Sequence, residues 1–195
     1  MNRYKFFLGL ALICFLFINN TFSQEKYLLI VDVQDKFYKN TGIEQDANLM
    51  VNNINHIIAK MLPENVIYIK ATGKVLSISF KGIKAIPMEQ TPAIDSNLKI
   101  VNNNILTKIE GDAFTLKDLN KFLLDNNAKE IVIVGLLAEK CIYSTAIGGI
   151  GKGYNIYIVP EAIVSKSKGK KEKVLKKMKK KGVKILPINE IINAP

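Results

Sequence analysis

The chain has 195 residues and is 48% hydrophobic, enough for one domain with a sizeable core. Its formal charge of +11 is concentrated between Lys166 and Lys184, where Glu172 is the only acid and no aromatic residue interleaves with the lysines. That pattern reads as a solvated helix face, and the lack of interleaved aromatics weakens a nucleic-acid reading.

Met1 to Ser23 reads as a secretory signal peptide. Arg3 and Lys5 form a basic start, and Phe6 to Ile18 is an unbroken apolar run too short for a comfortable membrane span. Thr21 and Ser23 then offer small residues before Gln24. The expectation is an exported protein, periplasmic or secreted, whose mature domain covers 24–195. Cleavage would remove Cys14 and leave Cys141 as the only cysteine, so no internal disulfide could form. A lone thiol in an exported chain points to chemistry or to pairing between chains.

The elements follow in order. Tyr27 to Val33 is an apolar strand that carries Asp32 at its end. Asp46 to Leu62 has apolar residues at Leu49, Ile54, Ile57, Ile58 and Met61, which predicts a helix stopped before Pro63. Val66 to Ile69 is a second strand. Residues 71–104 mix glycine and proline with short apolar pieces, and read as loop with a small hairpin or helix. Ile105 to Lys108 is a third strand. Thr115 opens a helix with Asp118 reaching back as a cap, burying Leu116, Leu119, Phe122 and Leu123.

Ile131 to Val134 is a β-branched run typical of a buried parallel strand. Cys141 then begins a helix of small and apolar residues, where free N–H groups and the helix dipole would favour a thiolate of lowered pKa. Gly148, Gly149, Gly151 and Gly153 read as glycines that allow close helix packing and end the helix. Ile156 to Val159 is a fifth strand. The lysine-rich segment, with Val174, Leu175 and Met178 at helical spacing, is an amphipathic helix, and Val183 to Leu186 is a sixth strand.

Strands alternating with helices predict an α/β fold with a mainly parallel, doubly wound six-stranded sheet covered on both faces. Ligands then bind beyond the carboxyl ends of the strands, where strand order reverses. Asp32, Lys108 and Cys141 all fall on that edge, with the first and fourth strands expected to flank the switch point. Other chemistries lack parts. His56 is the only histidine and sits mid-helix as a surface or packing residue, so a His/Cys zinc site lacks ligands. The glycines around Gly151-Lys152-Gly153 lack the leading glycine and the Ser/Thr of a phosphate loop.

Three blocks, LLIVDVQDKF, ILTKIEGDAF and IVIVGLLAEKCIYSTA, followed by GYNIYIVPEAIVS, resemble the isochorismatase-like cysteine hydrolases in order and spacing. The resemblance implies a three-layer α/β/α, Rossmann-like fold and a triad of Asp32, Lys108 and Cys141. It further implies a cis peptide between Leu136 and Leu137 and an oxyanion hole from the N–H groups of Leu137 and Cys141. Lys108 would favour the thiolate, and Asp32 would take the thiol proton and return it to the leaving amine. Nicotinamidases of the family carry an Asp-x-His metal motif after the second strand. Here that place reads Ile69-Lys70-Ala71-Thr72, so no metal and no other cofactor are expected.

Lys70, Phe37 and Phe114 are candidate pocket residues. The expected substrate is a small molecule with an amide-like C–N bond. No nucleic-acid partner and no stable membrane span after signal cleavage are expected, and a homo-oligomer is left open. Two other readings stay in view: a catalytically silent relative, marked by a blocked pocket or a misplaced Lys108, and an envelope-surface protein binding through its lysine helix.

Overall fold

The computed structural model describes residues 26–79, 82–87 and 90–192. The expected signal peptide lies outside them. Among the described residues no helix is long and apolar enough to cross a membrane.

Six strands form one parallel sheet: β1 (Lys26–Val31), β2 (Val66–Ala71), β5 (Ile105–Lys108), β6 (Glu130–Leu136), β7 (Asn155–Val164) and β8 (Lys184–Ile185), in the spatial order β5-β2-β1-β6-β7-β8. From β1 the chain crosses to β2 on one side, and from β6 it crosses to β7 on the other. The reversal therefore falls between β1 and β6, whose residues pair in register from Lys26↔Glu130 to Val31↔Gly135. The expected hairpin within 71–104 is present, as β3 (Lys74–Ser79) paired antiparallel with β4 (Gly82–Pro87) in a separate two-stranded sheet.

The β-branched strands bury both of their faces, which is why they read as continuous apolar runs. Leu28, Ile30, Val132 and Val134 point toward α1 (Glu44–Ile58) and α5 (Ile188–Ile192). Leu29, Val31, Ile131 and Ile133 point toward α2 (Lys117–Asp125), α3 (Tyr143–Gly151) and α4 (Lys168–Lys180). The result is the predicted three-layer α/β/α architecture. Each fully buried aliphatic side chain contributes about 1.5–3 kcal/mol of transfer free energy.

Several boundaries differ from the sequence reading. α1 starts and ends earlier than expected, and Leu49 is 63% exposed because Ala47, Met50, Val51 and Ile54 define the buried stripe instead. The Thr115/Asp118 cap does not form. Asp112 caps a short 3-10 turn at Ala113–Thr115 by accepting the Phe114 N–H at 2.8 Å, and α2 begins after it with Leu116 as its N-cap. On α4, Val174 and Met178 are buried and Leu175 packs partly against them, as the amphipathic pattern required.

Gly135 is fixed by the approach of β6 to β1. Its φ is 115°, and a Cβ there would lie 2.0 Å from the Val31 carbonyl oxygen. Gly135→Ala should therefore destabilise the fold by at least about 1–3 kcal/mol from backbone conformation alone. Denaturant unfolding of the two proteins measures the difference.

Candidate active site

The sheet edge at the switch point brings the three predicted residues together. Asp32 follows β1 directly, with a left-handed φ of 60°, a conformation that Asp tolerates better than most residues. Its N–H donates to the Ile69 carbonyl at 2.8 Å, locking the turn against β2. Lys108 ends β5, and its Nζ lies 2.9 Å from Asp32 Oδ2. Both are almost fully buried, Asp32 at 3% exposure and Lys108 at 1%. Lys108 is thus in place, the opposite of the sign expected of a silent relative.

Two buried charges are tolerable only as a pair, because the attraction offsets the desolvation each would otherwise suffer. Asp32 Oδ1 remains buried with no conventional hydrogen-bond partner among the described residues. Cys141 faces the pair from the helix after β6 and interacts with both Asp32 and Lys108.

The electrostatics correct one expectation. Burial, followed by the Asp32 charge, pushes the Cys141 thiol up to about 11; Lys108 opposes this without reversing it. The resting group is therefore a thiol, not a thiolate of lowered pKa. The helix-start argument failed because it weighed a dipole and a cation but omitted desolvation and the adjacent carboxylate. Burial also raises the Asp32 carboxyl, against the opposing pull of Lys108 and Cys141. Alkylation of the wild-type protein by iodoacetamide should accordingly keep accelerating beyond pH 9. A plateau reached by pH 7.5 would overturn this description of the thiol.

The backbone around Cys141 differs from a simple helix start. The Leu136–Leu137 peptide is cis, at the position the resemblance implied. Ala138–Ile142 then forms a π turn before α3. The Leu137 carbonyl accepts the N–H groups of Lys140 at 2.9 Å and Ile142 at 3.3 Å. In an α-turn that carbonyl would take the Cys141 N–H; here Ile142 takes its place.

The pocket candidates divide. Phe37 is 37% exposed on the 3-10 turn after β1 and remains on the site edge. Phe114 is a core residue, 3% exposed, stacked on Tyr154 at 5.4 Å and lying where a Cβ on Gly149 would collide. It does not line an open pocket; its aromatic character serves packing against α3. Lys70 is half-buried near the end of β2, opposite Thr107, and no bond among the described residues ties it to the triad. His56 is exposed on α1.

Supporting residues went unassigned in the sequence. Gln34 clamps the edge: its side chain donates to the carbonyls of Ala71 at 3.1 Å and Pro92 at 2.6 Å, and accepts the Ala71 N–H at 2.7 Å. Tyr38 donates to the buried carboxylate of Asp95, holding the 90s segment against the same turn. Thr145, fully buried on α3, accepts the Ala113 N–H at 3.1 Å and donates to the Gly111 carbonyl at 3.4 Å. It ties the loop after Lys108 to the helix after Cys141. Its visible signal is the run of small residues at Thr145, Gly148 and Gly149, which lets Asp112 and Phe114 close on α3.

Metal ligands are another matter. Among the described residues no group of three or more His, Cys, Asp or Glu side chains could hold an ion, and the end of β2 presents Lys70, Ala71 and Thr72. These residues do not fit a metal centre.

Comparison with known proteins agrees with this layout. A family model of the isochorismatase domain matches residues 26–190. "Isochorismatase family protein 2A" of Dictyostelium discoideum is 26% identical over 163 residues, covering 83% of this chain and 77% of the relative. Among solved structures, the pyrazinamidase of Pyrococcus horikoshii, determined in complex with zinc, superposes with a TM-score of 0.68 at 22% identity, covering 84% of this chain and 99% of its own. The N-carbamoylsarcosine amidase of Thermoplasma acidophilum gives a TM-score of 0.69 at 17% identity, covering 85% and 98%.

Proposed function

The chain belongs to the isochorismatase family, and from that premise we propose that it is a cysteine amidohydrolase cleaving a non-peptide, amide-like C–N bond of a small molecule. The observation that carries the reading is the buried Lys108–Asp32 pair, 2.9 Å apart, with the Cys141 thiol against it. The two amidases among the structural relatives, a pyrazinamidase and an N-carbamoylsarcosine amidase, lend the C–N bond its support.

In this mechanism Cys141 Sγ attacks the carbonyl carbon while its proton passes to Asp32, whose Oδ1 has no conventional hydrogen-bond partner among the described residues. Concerted transfer suits a thiol raised to about 11, since free thiolate at pH 7 would amount to only about one molecule in ten thousand. Lys108, 2.9 Å from Asp32, compensates the negative charge that moves between sulfur and carboxylate. The tetrahedral oxyanion is held by the N–H groups of Leu137 and Cys141; the π turn, which hands the Leu137 carbonyl to Ile142, supports the second donor. Collapse breaks the C–N bond, and Asp32 returns the proton to the departing amine. Asp32 then takes a proton from water, which attacks the thioester carbonyl, and the released sulfur is reprotonated. The products are a carboxylic acid and an amine or ammonia.

The reaction is proposed to run without metal, on the strength of the donor set at the end of β2. Export is proposed on the strength of the N-terminal charge and hydropathy pattern. A panel of small primary amides and ureido acids, assayed for amine release, tests the function. Cys141→Ala should abolish turnover, and treatment with a chelator should leave wild-type rates unchanged. Turnover retained by Cys141→Ala, or activity lost on chelation and restored by zinc, would contradict the proposal.

A further inference from the structure

Away from the triad, a groove of about 360 Å³ runs between the π turn and α4, lined by Glu139, Lys140, Tyr143, Lys166, Lys170, Lys173, Val174 and Lys177. We propose that this groove is a binding site for a small, multiply charged organic phosphate.

Charge placement carries the inference. Lys170, Lys173 and Lys177 recur at spacings of three and four, so they form one stripe of α4 along the groove, and Lys166 joins them from the extended segment before the helix. Lys140 faces them from the π turn. Like charges at these spacings repel, by about 0.2–0.5 kcal/mol for each helical pair. Glu139, the only acid lining the groove, is already engaged: it accepts Ser165 Oγ at 2.8 Å and the Lys166 N–H at 3.2 Å. Five lysines therefore line one small cavity, and the one carboxylate among its lining residues is already hydrogen-bonded.

The floor is not polar. Val174 is buried, and the Tyr143 ring lies under Lys177 Nζ at 4.3 Å. An apolar floor beneath cationic walls suits an anion with a planar or hydrocarbon body better than a bare ion. The volume falls in the range of small-molecule pockets. Phosphate esters combine the charge density with such a body, and lysine meets phosphate as a flexible point charge.

The test is a calorimetric titration of the full mature protein with ADP, at low and at physiological ionic strength. Inorganic phosphate and anionic phosphatidylglycerol vesicles serve as separate arms. The expected result is saturable one-to-one binding of ADP, weakened by salt, and reduced at least about tenfold in a Lys170→Glu/Lys173→Glu variant, the loss of one charge-assisted contact or more. Circular dichroism of that variant should match the wild type, because both side chains are exposed. Absence of saturable ADP binding would overturn the proposal. So would equal binding by the charge-reversed variant, or binding of vesicles alone.

Discussion

Asp32→Asn should abolish turnover while making Cys141 more reactive toward alkylating agents. The two effects have one origin. The Asp32 carboxylate raises the thiol both by its charge and by its hydrogen bond, whereas Lys108 lowers it. Asparagine removes the first influence and keeps the second. The thiol pKa should fall from about 11, with about a tenfold gain in thiolate at pH 7 for each unit of fall. Yet asparagine cannot accept the thiol proton, deliver it to the amine or deprotonate water. Hydrolysis should drop by about 10²–10⁴ or more. Iodoacetamide kinetics and steady-state assays on the same sample read both. Slower alkylation in the variant, or retained hydrolysis, would show that Asp32 is not the partner of the thiol.

Lys108→Met should be the most damaging substitution for stability. It leaves Asp32 nearly fully buried, with its only ion-pair partner among the described residues gone. Breaking a buried pair in this way costs about 3–5 kcal/mol, or roughly 10 °C in Tm for a domain of this size. The pH dependence has a definite sign. Burial already raises the folded-state pKa of Asp32, and loss of the cation raises it further. The folded state then binds the proton more tightly than the unfolded chain does. Stability is greatest below the unfolded carboxylate pKa of about 3.9 and falls as pH rises toward the folded value. The double variant Asp32→Asn/Lys108→Met should recover most of the lost stability and remain inactive. Thermal melts of the single and double variants between pH 4 and 8 separate the cost of an orphaned charge from simple loss of packing.

The parts of the fold that were legible in the sequence share a physical cause. The apolar runs within Tyr27 to Val33 and Ile131 to Val134 read as central strands, because a parallel sheet covered on both faces buries unbroken apolar segments. Asp32, Lys108 and Cys141 could be placed on one edge because parallel strands all end there. Less legible features depended on contacts between distant segments. Leu49 looked like a core residue by period, but the buried stripe is set by what β7 and β6 present to α1. Phe114 was a pocket candidate, but the absent side chains of Gly148 and Gly149 let its loop close onto α3 instead. The thiol pKa was misread for the same reason. A helix start is visible in a sequence, whereas the depth of burial around Cys141 is not.

Intact-mass spectrometry during turnover tests the central chemistry most directly. Protein mixed with a substrate amide and quenched in acid within milliseconds to seconds should carry the mass of the acyl group. Peptide mapping should place that group on Cys141, and hydroxylamine should remove it, as expected of a thioester. In Asp32→Asn no adduct should build up from an amide, because the amine cannot leave unprotonated. Turnover with no acyl adduct on Cys141 at any quench time, or an adduct mapped to another residue, would contradict a thioester on Cys141.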